Sequence, residues 1–154
     1  MDSPLRWIFF LAFIALLFCV LFVIKMERKK VLLVYGIGLV AVPVLLVLIA
    51  LLVMSVCKAL GSSGELFEAF RVFFTTFTIS SMALCLAALA CKALWPFMVE
   101  AIIGFHKRYN TANLGRQPLS FAARNEAKIK AAVSYPFFLG SLLVFWAIWF
   151  KAVV

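Results

Sequence analysis

Two side chains in this sequence are candidates for proton transfer, Glu100 and His106. The first is a carboxylate in the rather apolar stretch Leu94–Phe105, and the second is the single histidine, followed directly by Lys107 and Arg108. General acid–base catalysis needs a second group within hydrogen-bond reach, and no such partner adjoins His106 in the sequence. A lone interfacial histidine is ordinarily solvated, so His106 is expected to be inert. Glu100 is expected to be a buried charge, relieved by Lys92 or by a cation on a partner. The four cysteines, Cys19, Cys57, Cys85 and Cys91, form no CxxC pair, and three of them lie inside apolar runs. A disulfide framework or a zinc site needs closer or better placed thiols, so they read as small hydrophobes. No HExxH, GxSxG, P-loop or paired-carboxylate pattern is present. The expectation is no catalytic residue, no cofactor and no metal.

Hydroxyl groups form the other chemical pattern. Thr76, Ser80, Ala83, Ala87 and Cys91 recur at steps of four, three, four and four, which places them on one face of a helix. A seam of small and hydroxylated residues lets another helix approach closely and hydrogen-bond across. The same seam, with Thr75, Thr78 and Ser81, is equally suited to line a path through an oligomer. Packing and pore-lining are therefore the two roles open to it.

The elements that hold these groups follow from hydropathy. The chain has 154 residues, 67% of them hydrophobic and 14% charged. Soluble domains run at about 45–50% apolar, and so few charges cannot cover a water-soluble core of this size. The first span, about 7–24, is uncharged, and fourteen of its residues are Leu, Ile, Phe or Val. At about −0.3 to −0.6 kcal/mol each, their insertion sums to roughly −4 to −8 kcal/mol. It has neither the basic n-region nor the small-x-small cleavage site of a signal peptide, so it is expected to be a retained anchor. The second span, about 31–57, exceeds the roughly 20 residues needed to cross. Pro43 offers it a kink, and Gly36 and Gly38 suit close helix packing. The third, about 72–91, carries the hydroxyl seam and is expected to be the buried or oligomerising helix. The fourth, about 131–150, has Trp146 and Trp149 toward the far interface.

The connections are short or basic. Ser62 and Glu65 fit a capping box that opens the third helix, and Glu68 and Arg71 can pair on its first turns. Between the third and fourth spans, residues 92–130 form a basic connection. Within it, Leu94–Phe105 either extends the third helix or lies in the membrane interface, with Trp95 at headgroup depth. Tyr109–Leu119 reads as a loop. Ser120 is expected to cap a final helix in which Glu126 and Lys130 pair. The fold class is thus an all-α integral membrane protein of one domain, 1–154, with four transmembrane helices.

The net charge of +9 follows the topology. The first and third connections hold eleven Lys and Arg against four on the other side. That excess predicts cytoplasmic connections there and both termini outside, as in a bacterial inner membrane. Lys107, Arg108, Arg116 and Arg124 are the candidate contacts for anionic lipid headgroups or a partner. Nucleic acid is disfavoured, because no aromatic stacking platform accompanies the charge.

None of the four spans carries an internal ionisable side chain of the kind proton-coupled transport uses. Quinone-linked disulfide oxidases have comparable size and span count, but the CxxC pairs they need are missing. The Arg, Asn and Glu pattern of integral-membrane glutathione transferases is also missing. In general character the chain is similar to immunity proteins against pore-forming bacteriocins and to exclusion proteins: small, polytopic, basic and without catalytic motifs. The expected function is that of a non-enzymatic membrane protein contacting other membrane proteins, as an accessory subunit or an inhibitor. A homo-oligomeric channel or carrier with a Thr/Ser-lined path is the alternative.

Overall fold

Where water is excluded, a chain segment must satisfy its own backbone, and a helix does so within the segment. The computed structural model describes residues 4–61 and 64–151, and every regular element among them is helical. Four helices are long and apolar enough to cross a membrane: Pro4–Val23, Arg28–Ala59, Phe67–Tyr109 and Glu126–Lys151. They match the four expected spans and, by length and composition, suggest an integral membrane protein.

Helix α1 (Pro4–Phe18) closes in a π-helical turn, Cys19–Val23, after which Ile24 is extended. Helix α2 (Arg28–Ala59) ends in a reversal in which the Leu60 amide donates to the Val56 carbonyl and Gly61 takes a φ of 67°. That left-handed conformation favours glycine, because a Cβ would crowd the carbonyl. The capping box expected next rests on Ser62 and the Glu65 side chain, which lie outside what the structure describes.

Helix α3 (Gly64–Leu89) runs on through a second π-helical turn, Ala90–Leu94, into α4 (Trp95–Tyr109). Pro96 supplies the reason. It has no N–H for the carbonyl of Lys92 and its ring crowds that carbonyl, and the wider π turn accommodates both. The combined helix, Phe67–Tyr109, has 43 residues. At 1.5 Å per residue it is about 64 Å long, roughly twice a hydrocarbon core of about 30 Å. Leu94–Phe105 is therefore a continuation of the third helix.

The connection expected over 92–130 is mostly helical. After α4 come α5 (Thr111–Leu114), α6 (Leu119–Arg124) and α7 (Glu126–Ala132). Ser120 does not cap the last helix; it lies inside α6, whose N-cap is Pro118. The ring-fixed φ of proline suits a helix start and begins this one earlier. Pro136 likewise divides α7 from α8 (Ser134–Trp146), since it cannot bond to the Ala132 carbonyl. A third π turn, Ala147–Lys151, closes the last helix.

Helices α1 and α8 pack on each other and on α3. Phe13, Leu17, Val20 and Leu21 of the first helix meet Leu84, Ala87, Ala88 and Cys91 of the third and Phe145 and Trp149 of the fourth. Phe13 sits between Phe77 and Phe145, with ring centroids 5.1 and 5.7 Å away. Trp149 departs from expectation: it is 2% exposed, whereas Trp146 is 41% exposed. Helical phase turns Trp149 into the core, parallel to Phe9, and its indole N–H has no partner there. Cys19 departs the other way and is exposed on the first helix.

Helix α2 lies along α3, with Val31 as its buried residue. A Cβ on Gly38 would stand 3.4 Å from Cys85 Sγ, so this glycine permits the close approach of the two helices. A Cβ on Gly36 would meet nothing within 4 Å. The two glycines, alike in sequence, have different surroundings.

Candidate functional site

The hydroxyl seam lies inside the chain's own bundle. Ser80, Ala87 and Cys91 are buried, and Thr76 and Ala83 are half-buried. Ala87 and Cys91 belong to the core formed with α1 and α8, and Ala83 packs against it. The hydroxyls do not bond across helices. Thr76, Thr78, Ser80 and Ser81 donate to the carbonyls of Val72, Phe74, Thr76 and Phe77, at 2.7 to 2.9 Å. In apolar surroundings the nearest acceptor is the carbonyl one turn back. One polar contact does cross between helices at this end: Cys91 Sγ and Ser134 Oγ lie 3.1 Å apart. Thr75 stands apart from the seam and is exposed.

Glu100 is not a buried charge. Its side chain is 47% exposed, and it accepts from Arg28 at 2.9 Å and from Lys130 at 2.8 Å. Lys130 also holds Glu126, at 2.6 Å, as the four-residue spacing predicts. Lys92, the partner expected for Glu100, donates instead to the Ile24 carbonyl, just past the π turn that closes the first span. One carboxylate thus joins the start of α2, the middle of α4 and the end of α7. Arg28 also lies over the Phe97 ring, 5.4 Å from its centroid. Trp95 Nε1 reaches the Ile129 carbonyl at 3.4 Å and adds a link between α4 and α7. Glu100 lies outside the uncharged run Val72–Cys91. There the hydrogen bond from Lys130, seconded by the charges of Lys130 and Arg28, holds its carboxyl below the ordinary glutamate range.

No local pattern pointed to this junction. Arg28 and Lys130 are 72 and 30 residues from Glu100; in sequence Arg28 reads only as a member of a basic run and Lys130 as the partner of Glu126. His106 takes no part in it. Its Nδ1 is enclosed without a hydrogen-bond partner, and its ring meets Phe105 edge-on.

Lys107, Arg108, Arg116 and Arg124 lie on α4–α6 and the turns between them, and all four are exposed. None of the four forms an ion pair among the described residues. They leave α4–α6 with four unpaired cations among the described residues.

A cleft of about 310 Å³ opens between α2 and α3. Leu46, Ala50 and Met54 line it from α2, and Arg71, Thr75 and Thr78 from α3. Arg71 is paired with Glu68, as the sequence predicts. The cleft itself had no sequence signal, because it depends on the angle between two helices. Among the described residues, no group of three His, Cys, Asp or Glu side chains is placed to hold a metal ion.

Comparison of the chain with family models, with curated proteins and with solved structures finds no match.

Proposed function

We propose that the chain is a non-enzymatic membrane protein that acts by helix contacts with another membrane protein, as an accessory subunit or an immunity- or exclusion-type inhibitor. The observation that carries this reading is the position of α2. Helices α1, α3 and α8 bury their seams against one another, whereas Leu33, Val40, Val44 and Leu48 of α2 remain exposed. Gly36, on the same helix, leaves open space beside it, and small residues are where helices approach closely in lipid. The contact helix is then α2, not the third span, whose seam is already filled. That filling also supports packing over a conducting path along Thr76 and Ser80. The excess of basic residues favours a bacterial inner membrane with both termini outside the cytoplasm. The cations of α4–α6 would meet anionic headgroups, at about 1 kcal/mol each.

Photocrosslinking in the native membrane tests the proposal. A photoreactive residue at Val44 should capture a second polypeptide of one defined mass. The same residue at Ala87 should link only to α1 or α8 of its own chain. Adducts with lipid alone at Val44 would sink the reading. Multiples of the chain's own mass, with ion flux in planar bilayers, would favour the channel.

A further inference from the structure

Helices α2 and α3 touch at Gly38 and Cys85 and are apart where the cleft opens, with Pro43 between the two places. The volume of about 310 Å³ is at the lower end of small-molecule sites, which run from about 300 to 1,000 Å³. Its walls are apolar along Leu46, Ala50, Met54, Phe74 and Ile79, and its charge is confined to Arg71. Arg71 directly precedes the uncharged run Val72–Cys91, so it stands at headgroup depth if that run spans the bilayer. Ile79 is eight residues further along α3, about 12 Å deeper at the helical rise. A slot charged at the surface and apolar for that depth has the polarity of an upright phospholipid.

The charges at the mouth narrow the choice of lipid. Glu68 takes Arg71 Nε and one terminal nitrogen, leaving the other terminal nitrogen for a phosphate oxygen. Both side chains are more than half exposed, at 52% and 56%. The pair is electrically neutral as a unit, and an anionic headgroup would meet the Glu68 carboxylate as well as the guanidinium. A zwitterionic headgroup fits both, phosphate on Arg71 and ammonium on Glu68. We propose that this cleft binds one zwitterionic glycerophospholipid of the ethanolamine type, with an acyl chain between α2 and α3. The proposal rests on the membrane-spanning reading above but not on any protein partner.

The test uses the full chain, reconstituted in vesicles of equal phosphatidylethanolamine and phosphatidylglycerol and released in mild detergent for native mass spectrometry. One phosphatidylethanolamine should remain per chain, in preference to phosphatidylglycerol. Ala50→Trp, which fills the cleft, should lower that occupancy at least about tenfold. Glu68→Gln, a surface change that leaves the walls intact, should abolish the preference between the two lipids. Equal retention of both lipids by the unaltered protein, or undiminished retention by Ala50→Trp, overturns the site. Extraction at alkaline pH separates the two readings. A protein that is not inserted sinks the spanning reading, and an inserted one retaining no lipid sinks the lipid site alone.

Discussion

Single residues decide how close these helices come and where they stop. Gly61 holds a φ of 67° at the end of α2, a region that costs an L side chain about 1–2 kcal/mol. Gly61→Ala should therefore destabilise the protein by about 1 kcal/mol, measurable by reversible unfolding in detergent. The glycine pair in α2 gives a sharper contrast. Gly38→Leu extends a side chain beyond a Cβ that would already touch Cys85 Sγ, and should separate α2 from α3, lowering thermal stability. Gly36→Leu meets open space and should leave stability unchanged while weakening capture of a partner. The sequence marks both glycines as packing residues, but only the position of α3 distinguishes them. Trp149 teaches the same lesson. Its type suits an interface, and the rotation of the last helix buries it.

Among elements, α4 carries the clearest consequences. It is joined to α3 by the π turn at Pro96 and held from the side by Arg28 and Lys130 through Glu100. Pro96→Ala removes the cause of the π turn. Restoring the regular ladder would rotate α4 by one residue's phase, about 100°, and carry Glu100 away from Arg28. Thiols introduced together by Arg28→Cys and Glu100→Cys should be joined readily by a short bifunctional thiol reagent. Adding Pro96→Ala to that pair should make the crosslink form poorly. The carboxyl of Glu100 is held below the ordinary glutamate range. Its contribution is thus present above the unfolded-state value and is lost as pH falls through the folded-state one. The protection of α4 amides against exchange should therefore weaken in acid, and Glu100→Gln should leave it weak at all pH values. Protection unchanged by acid in the parent would show that Glu100 does not hold α4. The sequence showed that Glu100 was unusual, yet it pointed to Lys92 or a partner's cation, because within the chain only a neighbour in sequence was in view.

At the scale of the molecule, α3 is the axis, with α1 and α8 packed to one side and α2 attached along another. The proposed partner contact and lipid site would therefore fall on different surfaces from the cations of α4–α6. The Lys and Arg distribution predicts that Lys58 and Arg116 lie on opposite faces of the membrane. Single cysteines at these positions should react with an impermeant thiol reagent from opposite sides of sealed vesicles. Labelling of both from one side would break the four-span threading.

The four spans were legible in the residues because a helix in an apolar medium satisfies its backbone from within its own segment. About twenty apolar residues are enough to specify one, whatever surrounds it. The Glu68–Arg71 and Glu126–Lys130 pairs were legible for a related reason, since neighbours one turn apart are fixed by the helix itself. The filling of the seam by α1 and α8, the three-way role of Glu100 and the cleft between α2 and α3 were not. Each depends on helices distant in sequence and on their relative rotation, which no run of side chains encodes locally.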